Sequence, residues 1–224
     1  YRNGSDYILE KFVPGLCSGD LVGALGLTEP GAGSDALGSM RTTAKKEGDY
    51  YILNGSKTYI TNGSIADVIL VHAKTDINNR KKGISSFVIE TKNPGFKIVS
   101  KLKKMGYRGS QTSELFFENF KVPAKNMISQ EGEGHIIVMN GLDFERAMIA
   151  PIALGISERA LELSIEYAKI REQFGKPISN FQMVQSKLAN MYTSIQSIKA
   201  LVYSVLAECY SSEKKQAGKG KIHM

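Results

Sequence analysis

The chain has 224 residues, 42% of them apolar, and a formal net charge of +7; that is enough to bury the core of one large domain or two small ones. Its two cysteines, Cys17 and Cys209, are far apart and lack any CxxC or Cys/His neighbourhood. This argues against a disulfide scaffold and fits a reducing compartment. No run approaches the ~20 apolar residues of a membrane span, and the basic residues are mixed with acids rather than gathered on one face with aromatics, which gives a nucleic-acid surface no support.

The chain opens on Tyr1-Arg2-Asn3-Gly4, without methionine or a signal-peptide pattern, so we expect a piece of a longer protein. Residues 1–19 read as the end of a helix, with Tyr7, Ile8, Phe12 and Val13 at helical spacing before Pro14 and Gly15 intervene. From about 20 to 127 the texture is β. Short apolar or alternating runs at 21–27, 40–45, 50–53, 68–72, 84–89, 96–99 and 115–120 are separated by turn signals at 47–49, Asn54-Gly55, Asn62-Gly63 and 93–95. Many short strands predict an antiparallel sandwich or barrel. From 128 the period becomes helical. Ala160, Leu161, Ile165 and Ala168 mark one helix, and Gly175-Lys176-Pro177 a break. Val184, Leu188, Met191, Ile195, Ile198, Val202, Val205 and Cys209 then form the apolar stripe of a long second helix, before a polar tail expected to fray from Ser211. The predicted class is α+β: a helix end (1–19), a middle β domain (20–127) and the first part of a helical bundle (128–224). Further helices are needed to close that bundle.

Four segments could carry chemistry. The stretch 26–35 follows a strand and holds Gly26, Gly31 and Gly33 with the hydroxyls of Thr28 and Ser34. It is either a surface loop or a cradle whose N–H groups meet an anion or a polar ring edge. It is neither GxGxxG nor a P-loop. Residues 54–63 place an aromatic and hydroxyls on a short strand between turns, and a plain hairpin accounts for them equally well. In Gly141-Leu142-Asp143-Phe144-Glu145-Arg146, three charges interrupt an apolar helical context. Either Arg146 pairs with Asp143 or Glu145, or a carboxylate in an apolar pocket is poised as a base. Arg171 near a helix end either answers the helix dipole or clamps a phosphate. His72, His135 and His223 lack ligand spacing, so no metal is expected. There is no GxSxG nucleophile element.

Together these segments resemble the acyl-CoA dehydrogenase family. The resemblance rests on GLTEPGAGSDALG at 26–38, YILNGSKTYITNG at 51–63, GYRGSQTSELFFENFKVP at 106–123, GLDFERAMIAPIALG at 141–155 and REQFGKPISNFQ at 171–182. It covers nearly the whole chain, from the end of the N-terminal helical domain to partway through the C-terminal one. It implies FAD held between the β domain and the helices. Leu25, Gly26, Leu27, Thr28, Gly33 and Ser34 would line the flavin, with Ser34 also reaching the acyl-CoA. Tyr59, Ile60 and Thr61 would pack on and hydrogen-bond the ring, Tyr59 standing where many members have tryptophan. Arg171 and Gln182 would contact the FAD of a neighbouring subunit, implying a homotetramer or homodimer. Most members carry the catalytic glutamate late in the chain; a smaller group, the isovaleryl-CoA dehydrogenases foremost, carries it in a Gly-Leu-Asp-x-Glu-Arg element. That element makes Glu145 the base here, with Asp143 and Arg146 touching the CoA part of the substrate or orienting the base. Ile136 and Pro151 depart from the isovaleryl type and bear on acyl-chain preference. The implied reaction is α,β-dehydrogenation of a short, branched acyl-CoA to the 2-enoyl-CoA, with electrons passing to an electron-transfer flavoprotein, in the mitochondrial matrix or a bacterial cytoplasm. The alternatives are an oxidase-like relative that uses oxygen and a catalytically inactive structural member.

Overall fold

The computed structural model describes residues 3–80 and 82–217. The chain divides into two compact units, Tyr1–Met139 and Asn140–Met224. The first begins with helix α1 (Asp6–Ser18), whose N-cap Ser5 accepts a hydrogen bond from the Ile8 N–H. Contrary to expectation, α1 runs on through Pro14 and Gly15 to a left-handed Gly19. A proline removes one intrahelical bond, but Ile8 and Phe12 are anchored on Val68 and Val88. Leu21 also folds back on Gly15, with the Leu21 N–H donating to the Gly15 carbonyl at 2.9 Å. A Cβ at Gly15 would stand 2.8 Å from the Leu21 side chain, which would have to shift to admit it.

The strands are β1 (Gly23–Gly26), β2 (Thr43–Glu47), β3 (Tyr50–Thr61), β4 (Val68–Lys74), β5 (Ile84–Glu90), β6 (Phe96–Lys101), β7 (Thr112–Pro123) and β8 (Met127–Ile128), with a one-turn helix α2 (Ala36–Ser39) between β1 and β2. Seven of them form one hydrogen-bonded path, β6-β7-β3-β2-β4-β5-β8, and β1 joins β4. Pairing is antiparallel except where β1 and β2 meet β4. β4 and β5 are buried almost throughout, as strands covered on both faces must be. Tyr51, Leu53, Val71, Phe87, Leu115 and Phe117 fill one side, and α1 covers Val68 and Val88 on the other.

Asn54-Gly55, read from sequence as a hairpin turn, lies inside the twelve-residue β3. β3 pairs with β7 along its length, with one register shift beside Gly55 and a second between Lys57 and Ile60. Gly55, at φ 146°, lies so close to Thr42 that a Cβ would meet its Cα at 2.7 Å. The glycine serves a close strand crossing, not a turn. The true turns stand at Gly48, Asn62 and Gly95, all with positive φ.

In the second unit, α3 (Gly134–Ile170) enters from the first as one helix that includes Pro151. A two-stranded ribbon, β9 (Glu172–Gln173) and β10 (Lys176–Pro177), and a 3-10 turn lead to α4 (Gln182–Ala217). Leu154 and Leu161 of α3 pack against Ile195 and Val202 of α4, and Lys199 bonds Glu158 at 3.0 Å. Ile198 and Val205 of the predicted stripe remain exposed. Helix persists to 217 where fraying was expected; residues 218–224, with His223, lie outside the described residues.

Candidate functional site

In the first unit, two of the four candidate segments are brought together. The loop after β1 is closed by paired hydrogen bonds between Glu29 and Ala32, both 3.0 Å. It is tied to β3 where the Thr58 N–H donates to the Thr28 carbonyl at 2.9 Å. Beneath it, the Lys57 ammonium donates to Glu29 Oε1 at 2.9 Å and to the Leu27 carbonyl at 3.1 Å. Glu29 also accepts from the backbone N–H groups of Arg41 (2.6 Å) and Thr42 (3.0 Å). Side-chain exposure is 0% for Lys57 and 5% for Glu29. Burial pulls Lys57 down to about 8, only partly offset by Glu29. For Glu29, burial acts upward, but the Lys57 charge and the bonds from Thr42 and Arg41 outweigh it and hold the carboxyl below its ordinary value.

Above this buried pair the strand changes face. The register shift between Lys57 and Ile60 inserts one extra residue into β3. Tyr59 there takes φ 58° and stands 69% exposed. A bulky residue in the left-handed region is strained, and such strain gathers at functional sites. Thr61 is exposed beside it, whereas Ile60 is 2% exposed and belongs to the core. Its side chain is turned inward, so what Ile60 can offer a ligand is its backbone. Of the loop residues, Leu25, Gly33 and Ser34 are exposed, Leu27 and Thr28 are half-buried and Gly26 is buried. Among the described residues, neither the N–H nor the hydroxyl of Thr28 has a hydrogen-bond partner. The loop thus presents two free polar groups from a rigid support, beside an exposed aromatic.

In the second unit, Asp143 and Arg146 pair across one helical turn at 2.9 Å, both well exposed. Glu145 is exposed and outside this pair. At spacings of four, seven and eleven it shares a helical face with Ile149, Ile152 and Ile156, all exposed. The carboxylate therefore heads an exposed apolar stripe. Arg171 follows the last residue of α3 and Gln182 begins α4. The Ile178 N–H donates to the Arg171 carbonyl at 2.8 Å, and Phe174 and Phe181 meet edge-on at 6.1 Å. A shallow cavity of about 520 Å³, lined by Tyr50, Asn93, Glu118 and Lys121, contains none of these residues. No cluster of metal-ligand side chains occurs among the described residues.

The buried Lys57–Glu29 pair was not foreseen. Its signal is the position of Lys57 in β3, where Tyr51, Leu53 and Lys57 all face inward. A lysine at an inward position implies a buried anion.

The family model for the acyl-CoA dehydrogenase middle domain matches residues 24–120, and that for the acyl-CoA dehydrogenase C-terminal domain matches residues 132–224. Two mitochondrial relatives are each 47% identical over 93% of this chain: a 2-methylacyl-CoA dehydrogenase of Solanum tuberosum, covered over 50% of its length, and an isovaleryl-CoA dehydrogenase of Oryza sativa subsp. japonica, covered over 51%. The chain spans about half the length of the curated relatives it matches. A solved structure described as an FAD-dependent dehydrogenase superimposes with a TM-score of 0.90 at 35% identity, over 94% of this chain and 56% of that one. With the two domain models in chain order and the same mixed α and β architecture, this chain belongs to the acyl-CoA dehydrogenase family.

Proposed function

We propose that the protein of which this chain forms part oxidises a short acyl-CoA at its α,β bond with bound FAD, residues 20–127 acting as the middle domain and 128–224 opening the C-terminal domain. The carrying observation is the outward-turned Tyr59, strained at φ 58°, beside Thr28 with its N–H and hydroxyl unpartnered. These groups fit a flavin. An aromatic face packs on the ring, and the threonine supplies a donor and a hydroxyl to its polar edge. Leu25, Gly26, Leu27, Gly33 and Ser34 border that surface, Ile60 contributes backbone only, and Thr61 adds a second hydroxyl.

Bound FAD supplies the acceptor for the hydride lost from the substrate β-carbon. Glu145 removes the α-proton through its carboxylate, and the apolar stripe beside it suits an acyl chain. The Asp143–Arg146 pair holds a cation one residue beyond the base, placed to meet the phosphates of CoA. Arg171 and Gln182 serve a neighbouring copy's FAD in a homodimer or homotetramer. The names of the two curated relatives favour a short branched substrate, isovaleryl-CoA first and 2-methylacyl-CoA second. We assign electron-transfer flavoprotein as electron acceptor, and the mitochondrial matrix or a bacterial cytoplasm as location.

The test is to load the intact protein with FAD and screen a panel of branched and straight acyl-CoAs under anaerobic conditions. We expect FAD to be retained and its visible absorbance to bleach fastest with branched C4–C5 thioesters. Rapid reoxidation of the reduced flavin by air favours the oxidase alternative. Retained FAD with no bleaching across the panel favours the inactive structural member.

A further inference from the structure

The Lys57–Glu29 pair lies outside the acid-base chemistry above, yet it brackets the residue that faces the flavin. Lys57 holds the Leu27 carbonyl on one side of Thr28 and the Glu29 carboxylate on the other. The Thr28 carbonyl is taken by Thr58, and the Lys57 stem lies against Gly26, where a Cβ would meet its Cγ at 3.5 Å. Glu29 is fixed in turn by the amides of Arg41 and Thr42. A buried pair of this kind adds little to stability over a well-packed apolar replacement of both partners. What an apolar replacement lacks is the set of directed bonds that orient the loop. We propose that the buried Lys57–Glu29 pair is a positioning device for the flavin contact of Thr28: it fixes the loop before FAD arrives, and it governs flavin affinity and ring environment more than the stability of the fold. This rests on the flavin reading given above.

Lys57, with its ammonium at the centre of the network, is the positioning residue, and Glu29 is its anchor. His72 of β4 is the neighbouring ionisable group; burial and then the Lys57 charge keep it neutral, down to about 3. It competes for neither partner, since its Nδ1 lies 2.8 Å from the Ser86 hydroxyl.

The test compares the intact wild-type protein with Lys57→Met, Glu29→Gln and the double variant. It reads the melting temperature without flavin, the FAD dissociation constant and the visible spectrum of bound flavin. Each single variant leaves one buried partner unpaired and is expected to melt earlier. The double variant is expected to recover most of the melting temperature while still binding FAD at least tenfold more weakly, with a shifted flavin band. Recovery of wild-type affinity and spectrum together with the melting temperature overturns the proposal. If no variant folds, amide exchange in the flavin-free wild type decides. Protection of the Arg41, Thr42 and Thr58 N–H groups before FAD is added supports a pre-set loop, and protection gained only on adding FAD overturns it. A wild type that takes up no FAD at all overturns the flavin reading itself, and with it this role for the pair.

Discussion

His72 shows how single buried groups set the pH response of the β domain. Its side chain is buried on β4 against Ser86, and burial, then the nearby Lys57 charge, lowers its pKa from 6.5 to about 3. As pH falls through 6.5 the unfolded chain gains a proton that the folded chain refuses until about 3. Stability is therefore complete above 6.5 and is lost across that window, by roughly 1.4 kcal/mol for each pH unit. Urea midpoints of the intact protein at pH 7, 5.5 and 4 should show this slope, and His72→Gln should flatten it. An unchanged slope in the variant assigns the acid sensitivity to other groups. Motif density drew attention to Thr28, Ser34, Tyr59 and Glu145, and all four lie at least partly exposed. It did not say which part of Ile60 is on offer, because the bulge that turns Tyr59 outward returns its neighbour's side chain to the core. The inward position of Lys57 was the one signal for its pairing with Glu29; the partner itself is 28 residues away and reached only through tertiary contact.

At the scale of elements, β3 concentrates the local strain. Gly55 at φ 146° sits against the Thr42 backbone, and Tyr59 at φ 58° occupies a region that glycine prefers. Substitutions at the two positions should differ in sign. Gly55→Ala should destabilise the fold by about 1–3 kcal/mol, since strain and a clash add. Tyr59→Gly should leave stability unchanged or raise it by up to ~1 kcal/mol while weakening FAD binding, because an exposed ring is lost and strain relieved. Thermal melts with and without FAD check both, and a Tyr59→Gly protein as destabilised as Gly55→Ala would show that the ring supports the fold. Every run read as a strand contains or lies within one, since alternation and turn residues act locally, although 21–22, 27 and 40–42 fall outside β1 and β2. Asn54-Gly55 was misread because an Asn-Gly pair supplies positive φ equally well to a turn and to a close strand crossing. Pro14 was misread because packing of Ile8 and Phe12 outweighs one missing backbone bond.

At the scale of the whole molecule, α3 sets a length. Glu145 lies 25 residues before Ile170, the last residue of this helix and the one before Arg171, about 37 Å at 1.5 Å per residue. The two positions therefore stand at well-separated places along one copy of the helix. The separation supports the division of labour proposed above, in which Glu145 serves its own chain's substrate and Arg171 a neighbour's cofactor. Ile149, Ile152, Ile198 and Leu201 stay exposed on α3 and α4, matching the expectation that two helices do not close a bundle. The order of β domain and then helices was legible because the apolar period changes from two to 3.6 near residue 130. The meeting of the β1 loop with β3 was implied by the family resemblance alone; residue patterning does not show it, since β1 pairs in parallel with the distant β4.

The role proposed for Glu145 is that of base in a flavin-dependent acyl-CoA oxidation. Its most direct test is an anaerobic titration of the intact, FAD-loaded protein with isovaleryl-CoA, following flavin absorbance beside a Glu145→Gln variant. We expect rapid bleaching in the wild type and a loss in rate on the order of 10²-fold or more in the variant. Equal bleaching in both proteins would contradict it and place the base elsewhere in the protein.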